Sequence, residues 1–112
     1  MVRQAGTELD AIFGALADPT RRAILAQLAQ GDAYVTELAE PHDMSLAAVS
    51  RHVHVLADAG LMRREREGRS IRCQLNAAPL REATEWLAFY QRFWEQKLDA
   101  LGVFFEDNDG HD

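Results

Sequence analysis

Residues 45–60, SLAAVSRHVHVLADAG, constrain this chain more than any other stretch. Ser45 offers a hydroxyl that can accept from the orphan N–H groups of a helix start. Gly60 tolerates the left-handed conformation that stops a helix, so the segment between them reads as one bounded helix. Leu46, Val49, Val53 and Leu56 recur at steps of three and four and form one apolar stripe, expected to be buried. Ala47, Ala48, Ser50, Arg51 and His54 then point away from it. That outer face is small at its start, carries one guanidinium and holds few acids, as a helix must if its first turns are to enter a DNA major groove. The solvated face of an ordinary core helix has the same pattern, so the flanking sequence decides.

Ahead of this helix, residues 1–6 read as a flexible terminus. Thr7 is a candidate cap for a first helix with Leu9, Ile12, Phe13 and Leu16 on one side. Asp18-Pro19 breaks the chain and restarts it, because Asp18 can cap and Pro19 loses nothing at a first helical position. The second helix carries Ile24, Leu25 and Leu28 inward and Arg21, Arg22 and Gln27 outward, and Gly31 ends it. Residues 35–40 hold a short helix with Val35, Leu38 and Ala39 inward, and Pro41 with the polar residues after it makes the turn. Two helices joined by a tight turn, the second amphipathic and capped, make a helix-turn-helix.

Beyond Gly60 the apolar period changes from helical to two residues. Extended segments over residues 62–66 and 70–75 flank Glu67-Gly68, which is expected to be a two-residue hairpin turn. On that register Met62 faces Cys73, Arg64 faces Ile71 and Arg66 faces Arg69. Like charges opposite one another weaken a hairpin, and a basic tip is better explained by a phosphate or a minor groove than by solvent alone.

The last helix starts near Pro79 and continues to about Phe104. One stripe is Leu80, Ala83, Leu87, Tyr90, Trp94, Leu98 and Leu101; Trp86, Phe89, Phe93 and Ala100 form a second, offset one. A helix apolar on two sides must be covered on two sides, and a chain this small has nothing left for the second. The inference is a homodimer through the first and last helices, with Leu9, Ile12, Phe13, Trp86, Phe89, Tyr90, Phe93, Trp94 and Leu101 at the interface. Residues 106–112, EDNDGHD, read as an acidic disordered tail. Residues 7–105 then form one domain, mainly α with a two-stranded β-hairpin wing: a winged helix-turn-helix for DNA binding and dimerisation.

The net charge of −6 argues against nucleic-acid binding, but its distribution answers in part. Residues 45–72 hold six arginines (Arg51, Arg63, Arg64, Arg66, Arg69, Arg72) and three acids (Asp58, Glu65, Glu67), a local +3 that leaves −9 elsewhere. One cysteine, Cys73, fits a reducing compartment, no run approaches the roughly 18 apolar residues of a membrane span, and the start lacks a signal core. A cytoplasmic protein without membrane contact is expected.

No glycine-rich phosphate loop, nucleophile or Ser/His/Asp set supports an enzyme, so no catalytic residues are assigned. His52 and His54, two apart on a helix, diverge and cannot jointly hold a metal, and no Cys or His spacing supplies a zinc site. His52 is expected partly buried beside Val49, and His54 facing DNA or water. Cys73 reads as a small core residue on the inward side of the wing, alongside Ile71 and Leu75; Arg64 and Arg72 nearby leave a redox role as the alternative.

Taken together, the chain resembles the ArsR-type winged helix-turn-helix regulators. The resemblance rests on ALADPTRRAIL at residues 15–25, VTELAE at 35–40, MSLAAVSRHVHVLADAGLM at 44–62, EREGRSIRCQL at 65–75 and WLAFYQRFW at 86–94. It implies a dimeric repressor on a palindromic operator. Ser50 and Arg51 then fall where the family reads base edges, Thr36 and Ser45 where it holds phosphates, and Arg69 at the wing tip. Metal-sensing members carry cysteines on the short helix, or Asp, His and Glu sets on the last one. This chain has neither, so the resemblance is to metal-independent members, with no cofactor and no specified inducer. Cys73 stands where such members commonly have an aromatic.

The expectation is a sequence-specific DNA-binding regulator, a repressor whose partner is a double-stranded operator. Arg51 would read bases and Thr36, Ser45, Arg66 and Arg69 would hold phosphates, with Ala47, Ala48 and His54 on the same face. The alternatives are a winged-helix protein-interaction module without DNA binding, favoured by the acidic charge, and a ligand- or redox-gated switch.

Overall fold

The computed structural model describes the backbone over residues 2–109 and side chains over residues 8–98. The order of elements is α1 (Val2–Leu16), α2 (Pro19–Ala29), β1 (Ala33–Tyr34), α3 (Val35–Ala39), α4 (Leu46–Asp58), β2 (Met62–Glu67), β3 (Ser70–Leu75) and α5 (Ala78–Asp109). Helix α1 begins at Val2, so Thr7 lies inside it and does not cap it. Nothing in VRQAG stops a helix except the single Gly6, and one interior glycine costs only about 1 kcal/mol.

The joint between α1 and α2 satisfies both helix ends at once. Asp18 Oδ2 accepts from the Arg21 backbone N–H at 3.0 Å. In the other direction Arg21 donates from Nε to the Ala15 carbonyl at 2.7 Å and from Nη2 to the Gly14 carbonyl at 3.1 Å, while Arg22 Nη1 reaches the Leu16 carbonyl at 2.7 Å. Two arginines expected to point outward therefore cap the last carbonyls of α1, where positive charge suits the helix dipole.

The core lies where α2, α3, α4 and the sheet meet. It is built from Ile24, Leu25 and Leu28, Val35 and Leu38, Val49, Val53 and Leu56, and Leu61, Met62 and Cys73. Leu46 is a correction, because it is 49% exposed while Val49, Val53 and Leu56 are fully buried. It is the first residue of α4, one turn ahead of the point where the helix sinks into the core.

The sheet has three strands in the order β1-β3-β2: the expected two-stranded hairpin, β2 with β3, is joined by a two-residue strand that the sequence reading did not anticipate. Strand β1 pairs Ala33 with Cys73 and Tyr34 with Arg72, and α3 follows it directly, which ties the wing to the helix-turn-helix. The hairpin register also differs. Met62 faces Leu75, Arg64 faces Cys73, Arg66 faces Ile71 and Glu67 faces Ser70, so the turn is Gly68-Arg69. Gly68 has φ +63°, the positive value a twist-matched tight turn requires at its first position, and only glycine supplies it at no cost. This register also replaces an Arg66–Arg69 clash with opposite charges at Glu65 and Arg72.

Only the first turns of α5 pack on the body, through Leu80 and Ala83. Ala83 is 5% exposed, whereas every residue from 84 to 98 is exposed, so over that span neither apolar stripe is covered by this chain. A helix of 32 residues is about 48 Å long at 1.5 Å per residue, more than so small a body can cover. It continues past Phe104 to Asp109, taking in the start of the segment expected to be disordered.

Candidate nucleic-acid interface

Ser45 Oγ accepts from the Ala48 backbone N–H at 3.1 Å, which makes it the cap of α4 as its position suggested. At the other end Gly60 takes φ +80°. Helix α3 starts under a similar constraint, with the Tyr34 N–H donating to Glu37 Oε1 at 2.8 Å. Gln27 of α2 donates to the Leu38 carbonyl at 3.3 Å and lies 2.9 Å from His42 Nε2, so α2 holds the end of α3 and the following turn together.

His52 links α4 to the start of α2. Its Nδ1 lies 3.2 Å from Arg21 Nη1 and 3.9 Å from Asp18 Oδ2, and its side chain is 21% exposed, in keeping with the expected partial burial. The Asp18 carboxyl is held below its usual range, first by the Arg21 backbone N–H and then, against some burial, by His52.

On the outward side of α4, Ala47, Ser50, Arg51 and His54 are exposed and Ala48 is half-buried. Arg51 makes no hydrogen bond or ion pair among the described residues. His54 Nε2 is drawn along the helix to Asp58 Oδ2 at 3.0 Å.

Between α3, α4 and β3 lies a cleft of about 160 Å³, lined by Thr36, Leu46, Ser50 and Arg69 with Tyr34, Val35, Ser70 and Ile71. Three residues singled out in sequence, Thr36, Ser50 and Arg69, thus meet at one opening from three separate elements. Arg66 and Ser45 do not line it: Arg66 lies on β2 opposite Ile71, and Ser45 sits at the helix start.

One polar network escaped the sequence reading. The Tyr34 hydroxyl donates to Glu67 Oε1 at 2.8 Å, and Arg72 donates to Glu67 Oε2 at 3.4 Å and to Asp32 Oδ2 at 2.8 Å. Glu67 holds the Tyr34 phenol above its usual range, and Asp32, followed by Glu67, does the same for the Arg72 guanidinium. The only signal was the alternation of charge along β2 and β3, because a two-residue strand such as β1 has no period to detect.

Cys73 is fully buried, as expected of a core residue. Burial pushes its thiol up, outweighing the opposite pull of Arg64, and Arg72 is committed to Asp32 and Glu67.

The exposed side of α5 carries Trp86, Phe89, Tyr90, Phe93, Trp94 and Leu98, each between 42% and 58% exposed. Phe13 meets Trp86 edge-on at 5.6 Å, Trp86 lies 4.9 Å from Tyr90, and the Arg92 guanidinium sits 5.3 Å over Phe89 and 5.4 Å over Phe93. Leu9 and Phe13 are half-buried at the edge of this surface. Ile12, expected at an interface between copies, is instead 1% exposed and packed inside its own chain. The side chain of Leu101 lies outside the described residues. Among the described residues no three His, Cys, Asp or Glu converge as metal ligands, and no helix is long and apolar enough to cross a membrane.

A capped, outward-facing helix in a helix-turn-helix beside an antiparallel wing defines the winged helix-turn-helix class. Comparison with known proteins makes the class specific. Residues 16–65 match the model of a helix-turn-helix domain. The chain is 34% identical over 76 residues to the transcriptional repressor SdpR of Bacillus subtilis, covering 68% of this chain and 84% of that protein. It is 44% identical to an ArsR family transcriptional regulator of known crystal structure, with a TM-score of 0.75 over 80% of this chain and 93% of that one. The homodimeric winged helix-turn-helix DNA-binding domain of a Mycobacterium bovis protein, solved in solution, is 26% identical with a TM-score of 0.61 over 84% of each chain. The chain belongs to the ArsR family of winged helix-turn-helix transcriptional regulators and is a DNA-binding regulator.

Proposed function

We propose that the chain is a cytoplasmic repressor, without enzymatic activity, that binds a near-palindromic operator in double-stranded DNA as a homodimer. The observation that carries this reading is the open outward face of α4, where Arg51 stands without a partner among the described residues beside the cleft to the wing. Each copy lays the start of α4 in a major groove, with half-sites about one helical turn, roughly 34 Å, apart. Arg51 reads guanine. Thr36, Ser45, Arg66 and Arg69 hold phosphates, Ser50 touches a base edge, and Ala47 and Ala48 let the helix approach with His54 at the margin. Repression follows from occupying a promoter. Pairing through α1 and α5 is supported by the uncovered aromatic stripe, and the homodimeric relative has the same fold. The burial of Cys73 argues against gating by an oxidant.

A gel-shift on the DNA upstream of the protein's own gene, titrated with salt and random competitor, tests the reading, together with light scattering. Preferred binding that weakens steeply with salt, by a particle of two copies, is expected. No preference over random duplex, or a particle of one copy, overturns it.

A further inference from the structure

We infer that Leu46 reads the 5-methyl group of a thymine in each half-site, an assignment that rests on the DNA-binding reading above. Leu46 is the first residue of α4 and is 49% exposed, at the end of the helix that enters the groove. It is not a lone surface leucine, since it shares the cleft with Tyr34, 37% exposed, and with half-buried Ile71. Of the polar walls of the same cleft, Thr36 and Arg69 suit the other end of a nucleotide, its phosphate, and Ser50 the base edge.

In the major groove, thymine alone presents a methyl group; guanine, adenine and cytosine present donors and acceptors that a leucine leaves unpaired. A buried donor or acceptor without a partner is disfavoured, so the leucine selects for thymine and against cytosine at once. Ala47 beside it is too small to hold the helix off the base. The helix then reads by two chemistries, an apolar contact at Leu46 and a charged fork at Arg51.

The test starts from duplexes enriched from a random pool by the wild-type protein. Each thymine of the selected site is replaced in turn by deoxyuridine, which removes only the methyl group, and affinity is measured for wild type and Leu46→Ala. One position per half-site is expected to weaken wild-type binding about fourfold, the worth of one buried methyl group. The same replacement leaves Leu46→Ala unchanged, and Leu46→Ala binds the thymine duplex as wild type binds the uracil one. A uracil scan that is flat in wild type, or that weakens both proteins equally, overturns the inference and leaves DNA binding standing. Failure of the wild type to enrich any sequence overturns both.

Discussion

The Tyr34 hydroxyl and the Glu67 carboxylate meet at 2.8 Å across 33 residues of sequence. Tyr34 is the last residue of β1, immediately before α3, and Glu67 is the last residue of β2, immediately before the turn that carries Arg69. With Arg72 clamped to Glu67 and Asp32, the contact braces the wing tip against the helix-turn-helix. Tyr34→Phe removes the hydroxyl and keeps the ring. Affinity for the selected duplex is expected to fall about threefold, the effect of one modest hydrogen bond, with the thermal midpoint nearly unmoved. Fluorescence anisotropy should show that Arg69→Ala costs less in this background than in wild type. Strictly additive losses would contradict a positioning role.

Arg51 and Arg69 are assigned different work. Arg51→Ala should lose about 1–3 kcal/mol of discrimination between the selected duplex and a variant at one base pair. Arg69→Ala should weaken all sequences alike and lower the salt slope by roughly one. Competition titrations at several salt concentrations separate the two, and equal losses on selected and random duplex for both variants would refute the division.

Phe93 is 53% exposed on the unaccompanied part of α5, so Phe93→Glu changes no contact in the chain's core. It is expected to give a single-copy particle with unchanged helix content by circular dichroism. Operator affinity should fall about 100-fold or more, because the second half-site no longer binds at an effective concentration. A variant that remains paired would place the interface elsewhere.

Glu82 supplies a pH dependence of stability. Its carboxyl is raised above the usual range, first by burial, then by the charge of Glu8 and a hydrogen bond that the protonated Glu82 donates to it, then by Glu85. The folded state therefore favours the protonated acid. That stabilisation is full below the unfolded value near 4.5 and is lost as pH rises through the higher folded value. Glu82→Gln keeps the neutral shape, so its thermal midpoint should exceed that of wild type at pH about 7 and converge with it in acid. Melts at constant ionic strength check this, and a variant that is less stable at neutral pH sinks it. Asp18 has the opposite sign: with its value lowered from 3.8, the stability it contributes is lost as pH falls below that figure.

Much of the site was readable because its signals are local. A serine cap, a stripe at three- and four-residue steps and a glycine stop define α4 within sixteen residues, and Cys73 falls on the buried face by strand alternation. Leu46 misled because period alone does not say where a helix first meets its core. The hairpin register slipped because Glu67-Gly68 and Gly68-Arg69 both offer a glycine; the observed turn puts Gly68 first with its positive φ, sets Glu65 opposite Arg72, and leaves Glu67 on β2 where Tyr34 reaches it.

From residue order alone came the helix boundaries near Asp18 and Ser45, the change of period after Gly60 and the excess of aromatic surface on α5, because capping, periodicity and composition act between near neighbours. Tertiary structure decided what depends on residues far apart in the chain. It added β1 as a third strand beside the hairpin, buried Ile12 and brought Thr36, Ser50 and Arg69 to one cleft. Those outcomes turn on which distant groups can satisfy one another once the core has closed, and no local pattern encodes that choice.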